Sequence, residues 1–254
     1  MARSTAAARD AREAGEAARG GAAKHAYVRR IFSEIAPRYD LLNHVLSLNV
    51  DRAWRRRAIA ALDWRRDAGG TYLDLCAGTL DAGALLARQP GFRGYVVGAD
   101  FAEPMLRAGA GKAPAAVLGP VAADAQRLPL ADASVAGAIV AFGIRNVADL
   151  DQGLREVRRV LAPGGRLVVL EFSTPRSPLV RAAYHAYFHA VLPVVGRVVS
   201  GHRTAYRYLP RSVANFPVEE ALAARMTAAG FERVRWESLT LGVAAVHVAH
   251  AGAR

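Results

Sequence analysis

The feature that most constrains this chain is a series of short apolar stretches alternating with helical patterns between Thr71 and Phe172. Thr71 to Cys76, Gly94 to Phe101, Val117 to Ala123, Val135 to Phe142 and Arg166 to Phe172 each read as a strand. Between them, helices are expected from Asp81 to Arg88, from Glu103 onward, and from Leu150 to Leu161, the last stopped by Pro163-Gly164-Gly165. Apolar strands separated by helices imply a parallel sheet covered on both faces, the architecture of α/β proteins. Two more strands, Arg233 to Thr240 and Val243 to His250, are separated only by Leu241-Gly242. So short a connection predicts an antiparallel hairpin at the sheet edge.

The flanks follow a different pattern. Val28, Ile31, Phe32 and Ile35, then Trp54, Ala58, Ile59 and Leu62, recur at helical spacing and predict an N-terminal helical cover over residues 25–66. Residues 1–24 are Ala-rich, lack the apolar region of a secretory signal, and are expected to form a disordered tail. After the fifth strand, residues 173–211 are too apolar for a plain loop and are expected to form an inserted helical lid. Phe216 to Ala229 then reads as a helix ended by Gly230, and residues 25–254 as one domain.

With 52% hydrophobic and 22% charged residues, the chain has the composition of a folded core rather than a disordered segment. A single cysteine, Cys76, excludes a disulfide framework and a cysteine-based zinc site, and it suits a reducing cytosol. No metal is expected, and the longest apolar runs fall short of the roughly 20 residues that span a bilayer. The net charge is +12, with six arginines and no acid between Arg176 and Arg211, interleaved with Tyr184, Tyr187 and Phe188. A duplex-binding protein concentrates charge on a recognition helix or stripe, so this pattern predicts an anionic membrane surface and no nucleic acid. The alternative is compositional bias, since arginine outnumbers lysine 32 to 2.

In an open α/β sheet a ligand sits beyond the carboxyl ends of the strands, at the switch point beside the first one. Asp74, Gly78 and Thr79 fall there. Glycine lets backbone approach a ligand closely, and the amides that open the next helix favour a carboxylate. Asp100, ending the second strand 22 positions beyond Gly78, is suited to accept hydrogen bonds from two ribose hydroxyls. The loop Cys76-Ala77-Gly78-Thr79-Leu80-Asp81 lacks G-x-G-x-x-G, which points to a nucleoside rather than a dinucleotide. A turn glycine and a helix-capping aspartate would leave the same pattern without any ligand.

Four longer motifs carry a resemblance. Tyr39-Asp40-Leu41-Leu42-Asn43 is followed by Leu46-Ser47 and Trp54-Arg55-Arg56, and Phe142-Gly143-Ile144-Arg145-Asn146-Val147 follows the fourth strand. Arg159-Val160-Leu161-Ala162-Pro163-Gly164-Gly165-Arg166 runs on to Leu170-Glu171-Phe172-Ser173, and Tyr206-Arg207-Tyr208-Leu209-Pro210-Arg211-Ser212 precedes Phe216-Pro217. On these motifs the chain, from about Phe32 to its end, resembles the menaquinone/ubiquinone C-methyltransferase family within the class I S-adenosylmethionine-dependent methyltransferases. Pro-Gly-Gly before the fifth strand is common to many methyltransferases, whereas Phe-Gly-Ile-Arg-Asn together with Leu-Glu-Phe-Ser is specific to this family. The resemblance implies a Rossmann-like seven-stranded sheet of order 3-2-1-4-5-7-6 with the last strand antiparallel. It also implies S-adenosyl-L-methionine as cofactor and methylation of demethylmenaquinol to menaquinol.

Position by position, the resemblance implies a methionine-end contact at Thr79, a ribose contact at Asp100 and adenine contacts at Asp124 and Ala125, with Gly78 in the same cofactor loop. A sulfonium is already an activated methyl donor, so the protein must align carbon, methyl and sulfur, exclude water and favour a phenolate. Arg145 is expected to stabilise that oxyanion, Asn146 to position the quinol, and Tyr206 or His202, or a water they hold, to accept the proton. The structural alternatives are a loop-organising salt bridge for Arg145 and lid packing for the other two. Tyr39 and Asp40 are placed at the mouth, with helix capping by Asp40 equally open.

The chain departs from the family pattern at Ala141 (often Ser), Ala162 (commonly Lys), Asp51 (often His) and Leu80 (usually Gly or small). Leu80 is expected to reshape the floor under the cofactor's methionine. Leu73-Asp74-Leu75-Cys76 looks like the menaquinone-side version of the loop, which favours menaquinol over a ubiquinone-pathway benzoquinol. A lipid N-methyltransferase and a non-catalytic quinone-binding subunit stay open as rivals, and so does a homo-oligomer. The expected partners are a prenylated quinol and an anionic membrane surface, with a cytoplasmic, peripherally membrane-associated location.

Overall fold

The computed structural model describes residues 21–40, 47, 49–187 and 203–252. Helices α1 (Gly21–Ile35) and α2 (Val50–Ala61) precede the sheet strands β1 (Thr71–Leu75), β2 (Tyr95–Asp100), β3 (Leu118–Ala122), β4 (Val135–Ala141) and β5 (Leu161–Phe172). Between these strands run α3 (Asp81–Ala87), α4 (Glu103–Ala108) and α5 (Leu150–Val160). After β5 come α6 (Pro178–Ala186), α7 (Arg203–Ala214) and α8 (Glu219–Ala228), then β6 (Phe231–Leu239) and β7 (Ala244–Ala251).

The seven strands lie in the order β3-β2-β1-β4-β5-β7-β6, and β7 runs antiparallel to both β5 and β6. The expected architecture and hairpin are therefore present. Alternation along the strands divides the core in two. Leu73, Leu75, Val97, Val140 and Val169 face Leu154 and Val157 of α5 and Leu222 and Met226 of α8. Tyr72, Val96, Ile139, Val168 and Val246 face Trp54, Ala58 and Ile59 of α2 and Leu86 of α3. A strand that is apolar at every position is buried on both faces, which is why these runs lack a hydrophobic/polar alternation.

Two boundaries differ from expectation. β5 begins at Leu161, which pairs with Val135, and the register then shifts so that Arg166 pairs with Gly137. Pro163-Gly164-Gly165 thus occupies an irregular stretch within the strand, where a residue without an N–H leaves no ladder bond unmade. α1 opens at Gly21, inside the stretch expected to be tail, and Lys24 Nζ donates to the carbonyl of Val147 at 2.8 Å.

Candidate active site

β1 pairs with β2 on one side and β4 on the other, so the chain reverses its direction of travel across the sheet there. Beyond the carboxyl ends of these strands lies a cleft open to solvent. β1 contributes Leu75, Cys76 and Gly78 through its trailing loop, β2 contributes Ala99, Asp100 and Phe101, and the segment after β3 contributes Asp124 and Ala125. Phe142, Gly143 and Asn146 follow β4, while His25, Phe32 and Tyr39 come from the N-terminal helical region.

The backbone is strained at this cleft. Cys76, Leu80 and Phe142 have φ of 53°, 65° and 64°, values that residues with a Cβ seldom adopt. Gly78, at φ 51°, takes the same region without cost, and a Cβ there would stand 3.3 Å from Met105 Cε. Gly143 is required for a different reason, because a Cβ on it would collide with that of Cys76. The ends of β1 and β4 can approach only while this position stays bare.

Asp100 is 7% exposed and receives two amides, Gly78 N–H on Oδ2 at 2.8 Å and Ala102 N–H on Oδ1 at 2.8 Å. Burial pushes its carboxyl above the usual carboxylate range, opposed by the amides of Ala102, Gly78 and Phe101. A carboxylate has about four acceptor sites, so beside these amides the two oxygens keep acceptor capacity toward the cleft. Asp124 and Ala125 also line the cleft; Asp124 accepts from Gln126 N–H at 2.9 Å. Asp74, fully buried, accepts from Gly83 N–H at 2.7 Å and has its carboxyl pushed up to about 7 by burial, so it organises the loop from behind.

Thr79 and Leu80 stand differently from expectation. Thr79 is 2% exposed, is not part of the cleft wall, and donates its hydroxyl to Asp40 Oδ1 at 2.5 Å. Asp40 also pairs with Lys112, whose Nζ reaches Asp81 at 2.6 Å. Asp40 therefore ties the N-terminal segment to the loop after β1, and Tyr39 beside it lines the cleft. Leu80 turns away from the cleft into the core against α2, where it fills the space a side chain at Gly98 would need. Its bulk is absorbed in the core rather than in the cleft wall. Asp51 is buried and ion-paired with Arg55, one turn on.

On the other side of the cleft, Asn146 lines the wall and its Oδ1 accepts from the Tyr208 hydroxyl at 3.0 Å. What Asn146 can offer a substrate is thus its Nδ2 donor. Arg145 is buried and is not part of the cleft wall. Its Nη1 donates to Glu171 Oε1 at 2.6 Å and to the Phe142 carbonyl at 2.5 Å, and its Nε to Ser212 Oγ at 3.3 Å. Burial pulls its pKa down, but attraction to Glu171, Tyr39 and Tyr208 together with the hydrogen bond to Glu171 outweighs this and the guanidinium stays charged. Burial likewise pushes the Tyr208 phenol up to about 12, against the opposing pull of Arg145. The side chain of Tyr206, and His202 altogether, lie outside the described residues.

Sequence reasoning gave no role to His25, Lys24, Glu171, Ser212 or Tyr208. Glu171, Ser212 and Tyr208 sit inside the motifs quoted for the resemblance, so the motifs were the available signal. Lys24 and His25 precede every motif, and nothing in the sequence marked them.

A family model for the ubiE/COQ5 methyltransferase family matches residues 21–251. A demethylmenaquinone methyltransferase of Thermus thermophilus is 52% identical over 86% of this chain and 98% of its own length. One from Deinococcus radiodurans is 49% identical over 87% of this chain and 91% of its own. The ubiquinone/menaquinone biosynthesis C-methyltransferase UbiE of Geobacter sulfurreducens is 44% identical over 89% of this chain and 88% of its own. Among solved structures, a SAM-dependent methyltransferase from Thermotoga maritima aligns with a TM-score of 0.62 at 18% identity, covering 87% of this chain and 98% of that one. That likeness is one of fold.

Proposed function

The chain belongs to the ubiE/COQ5 methyltransferase family, its methyl donor is S-adenosylmethionine, and we propose that it methylates a ring carbon of a prenylated demethylmenaquinol to give menaquinol. The observation that carries this reading is a single cleft bounded by Asp100, Gly78 and Asp124 on one side and by Asn146, with Arg145 behind it, on the other. The unfilled acceptor sites of Asp100 and the bare backbone at Gly78 fit the ribose and the close approach of the donor. The sulfonium, when bound, supplies an activated methyl group. Asp124 and Ala125 are proposed to hold the adenine. Thr79 is proposed to position the methionine-end loop through Asp40, since its hydroxyl is engaged there.

Asn146 Nδ2 is suited to donate to the quinol oxygen next to the ring carbon that is methylated. Arg145, ion-paired with Glu171 behind the wall, is proposed to favour the phenolate through the field its guanidinium keeps beyond that pair, which makes the adjacent carbon nucleophilic. The ring carbon forms a bond to the methyl group as the S–methyl bond breaks and S-adenosylhomocysteine is left, and the ring then loses its proton, for which Tyr206, or a water it holds, is the proposed acceptor. Phe32, Tyr39 and Phe142 give the cleft apolar walls that help exclude water around the transfer.

Labelled S-adenosylmethionine incubated with short-chain demethylmenaquinol should give labelled menaquinol. Label in a benzoquinol or a lipid amine, offered in parallel, would reassign the substrate, and cofactor binding without any transfer would favour a non-catalytic subunit.

A prenylated quinol resides in the bilayer, and among the described residues no helix is long and apolar enough to cross one. α6 supports docking at a membrane surface: none of its residues is buried, Leu179 is 81% exposed, and Arg181 is exposed beside it. Arg176 is less suited to this, being paired with Glu220. Flotation should show binding to anionic vesicles that weakens with salt and with Arg181→Gln, because basic residues near such a surface contribute about 1 kcal/mol each. Equal binding to neutral vesicles would rule out the electrostatic part.

A further inference from the structure

We infer that His25 is a cofactor-binding residue, forming the wall of the cleft against which the adenine packs. The inference rests on reading this cleft as the S-adenosylmethionine site and adds a residue from α1, outside the sheet and its loops.

His25 lines the cleft together with Phe101, Asp124 and Ala125. Its ring centroid lies 4.9 Å from that of Phe101 with the planes inclined by 45°, so the two rings make an open aromatic corner rather than a closed stack. Its Nε2 stands 3.5 Å from Asp124 Oδ2. A planar, apolar-faced heterocycle with exocyclic N–H donors fits such a corner, with ring faces on two sides and a carboxylate in the same wall. The ribose end is fixed by Asp100, the residue before Phe101, which places the base rather than the sugar or the amino acid at the His25 end.

The position of His25 is set from both sides. Lys24, one residue before, is hydrogen-bonded to the carbonyl of Val147, itself in the cleft wall. Tyr27 and Val28, two and three residues on, are buried at 5% and 0% exposure. A ring held between such neighbours acts as a fixed wall. Tyr27 also packs edge-on against Tyr208, whose hydroxyl donates to Asn146. The same helix therefore lines the cleft through His25 and packs, through Tyr27, against the tyrosine that holds Asn146.

Calorimetric titration with S-adenosylhomocysteine and with 5′-methylthioadenosine tests this on the whole chain. His25→Ala should weaken both ligands by the same factor, about three- to tenfold, because both carry the base and only one carries the amino acid. His25→Phe, which keeps an aromatic wall, should bind both within about twofold of the wild type at an unchanged melting temperature. The inference is overturned by unchanged affinity in His25→Ala, by a loss confined to S-adenosylhomocysteine, or by tighter binding, which would show the imidazole occupying the adenine's own place. If His25→Ala does not fold, loss of affinity in a folded His25→Phe equally overturns it. Failure of the wild type to bind S-adenosylhomocysteine would bring down the cofactor reading and this inference together, whereas normal wild-type binding with unaffected variants removes His25 alone.

Discussion

The two sides of the cleft are held by different means. On the Asp100 side, polar side chains rest on backbone amides of their own or adjoining loops: Asp100 on Gly78 and Ala102, Asp124 on Gln126, Asp74 on Gly83. On the Arg145 side, they rest on side chains from distant segments. Arg145 meets Glu171 and Ser212, which are 26 and 67 positions away, and Asn146 meets Tyr208, 62 away. The carboxylates of the first side are thus held mainly by the strand-loop-helix units themselves, with the N-terminal segment adding Asp40 against Thr79 and His25 beside Asp124, whereas the second exists only once α7 has packed against the end of β4. A buried charge supported by long-range partners fails when one partner is lost. A carboxylate supported by amides beside an open cleft fails more gently, because water can replace a lost partner.

The largest expected effect tests that asymmetry directly. Glu171 is 2% exposed, and Glu171→Ala leaves the Arg145 guanidinium buried without its counter-charge. Breaking one partner of a buried pair costs about 3–5 kcal/mol, and urea unfolding should show a loss of that size. A loss below about 1 kcal/mol would mean that Arg145 escapes to solvent and that the two sides are equally forgiving.

The same asymmetry decides what could be read from the sequence. The antiparallel hairpin and the placement of Asp100 and Gly78 were legible because each depends on periodicity or on a position relative to a strand end, whereas the sheet order and the positions of Asp124 and Ala125 came through the family resemblance. Arg145 and Asn146 were located by motif, but the partners of Arg145 were not, since nothing local to Phe142-Gly143-Ile144-Arg145 names Glu171 or Ser212. Leu80 shows the same limit: its family position points to the cofactor floor, while in the structure its side chain packs in the core beside Gly98 and is not part of the cleft wall. The strand start at Leu161 was missed because Pro163-Gly164-Gly165 reads as a terminator unless a neighbouring strand is there to accommodate a bulge.

A second, smaller effect asks whether the buried side acts in the chemical step. Arg145→Lys keeps the charge but cannot reproduce the fork that holds Glu171, the Phe142 carbonyl and Ser212 together. If the charge must be held beside Asn146, kcat should fall by about 10², on the scale of losing one oxyanion donor, with the cofactor dissociation constant unchanged. Normal turnover in a folded variant would reduce Arg145 to a structural brace. A parallel fall in cofactor affinity would show that the two sides are not independent.

The smallest effect belongs to the amide-supported side and is confined to binding. Asp100→Asn keeps the size of the side chain but replaces one acceptor oxygen with a donor, which then faces an amide N–H of Gly78 or Ala102. One charge-assisted bond to a ribose hydroxyl is lost, so affinity for S-adenosylhomocysteine should fall about tenfold, one decade per 1.4 kcal/mol. The pH dependence of ligand-free stability gives an independent check. Burial raises the folded pKa of Asp100 above the ordinary 3.8, so its contribution is fully present below about that value and is lost as pH rises through the folded pKa. The variant has no such titration, and the stability difference between wild type and variant should therefore shrink as pH increases from about 4. An unchanged dissociation constant would remove Asp100 from the site. A stability difference that widened with pH would show that the amides, not burial, dominate this carboxylate, and would make the Asp100 side as dependent on its fixed partners as the Arg145 side.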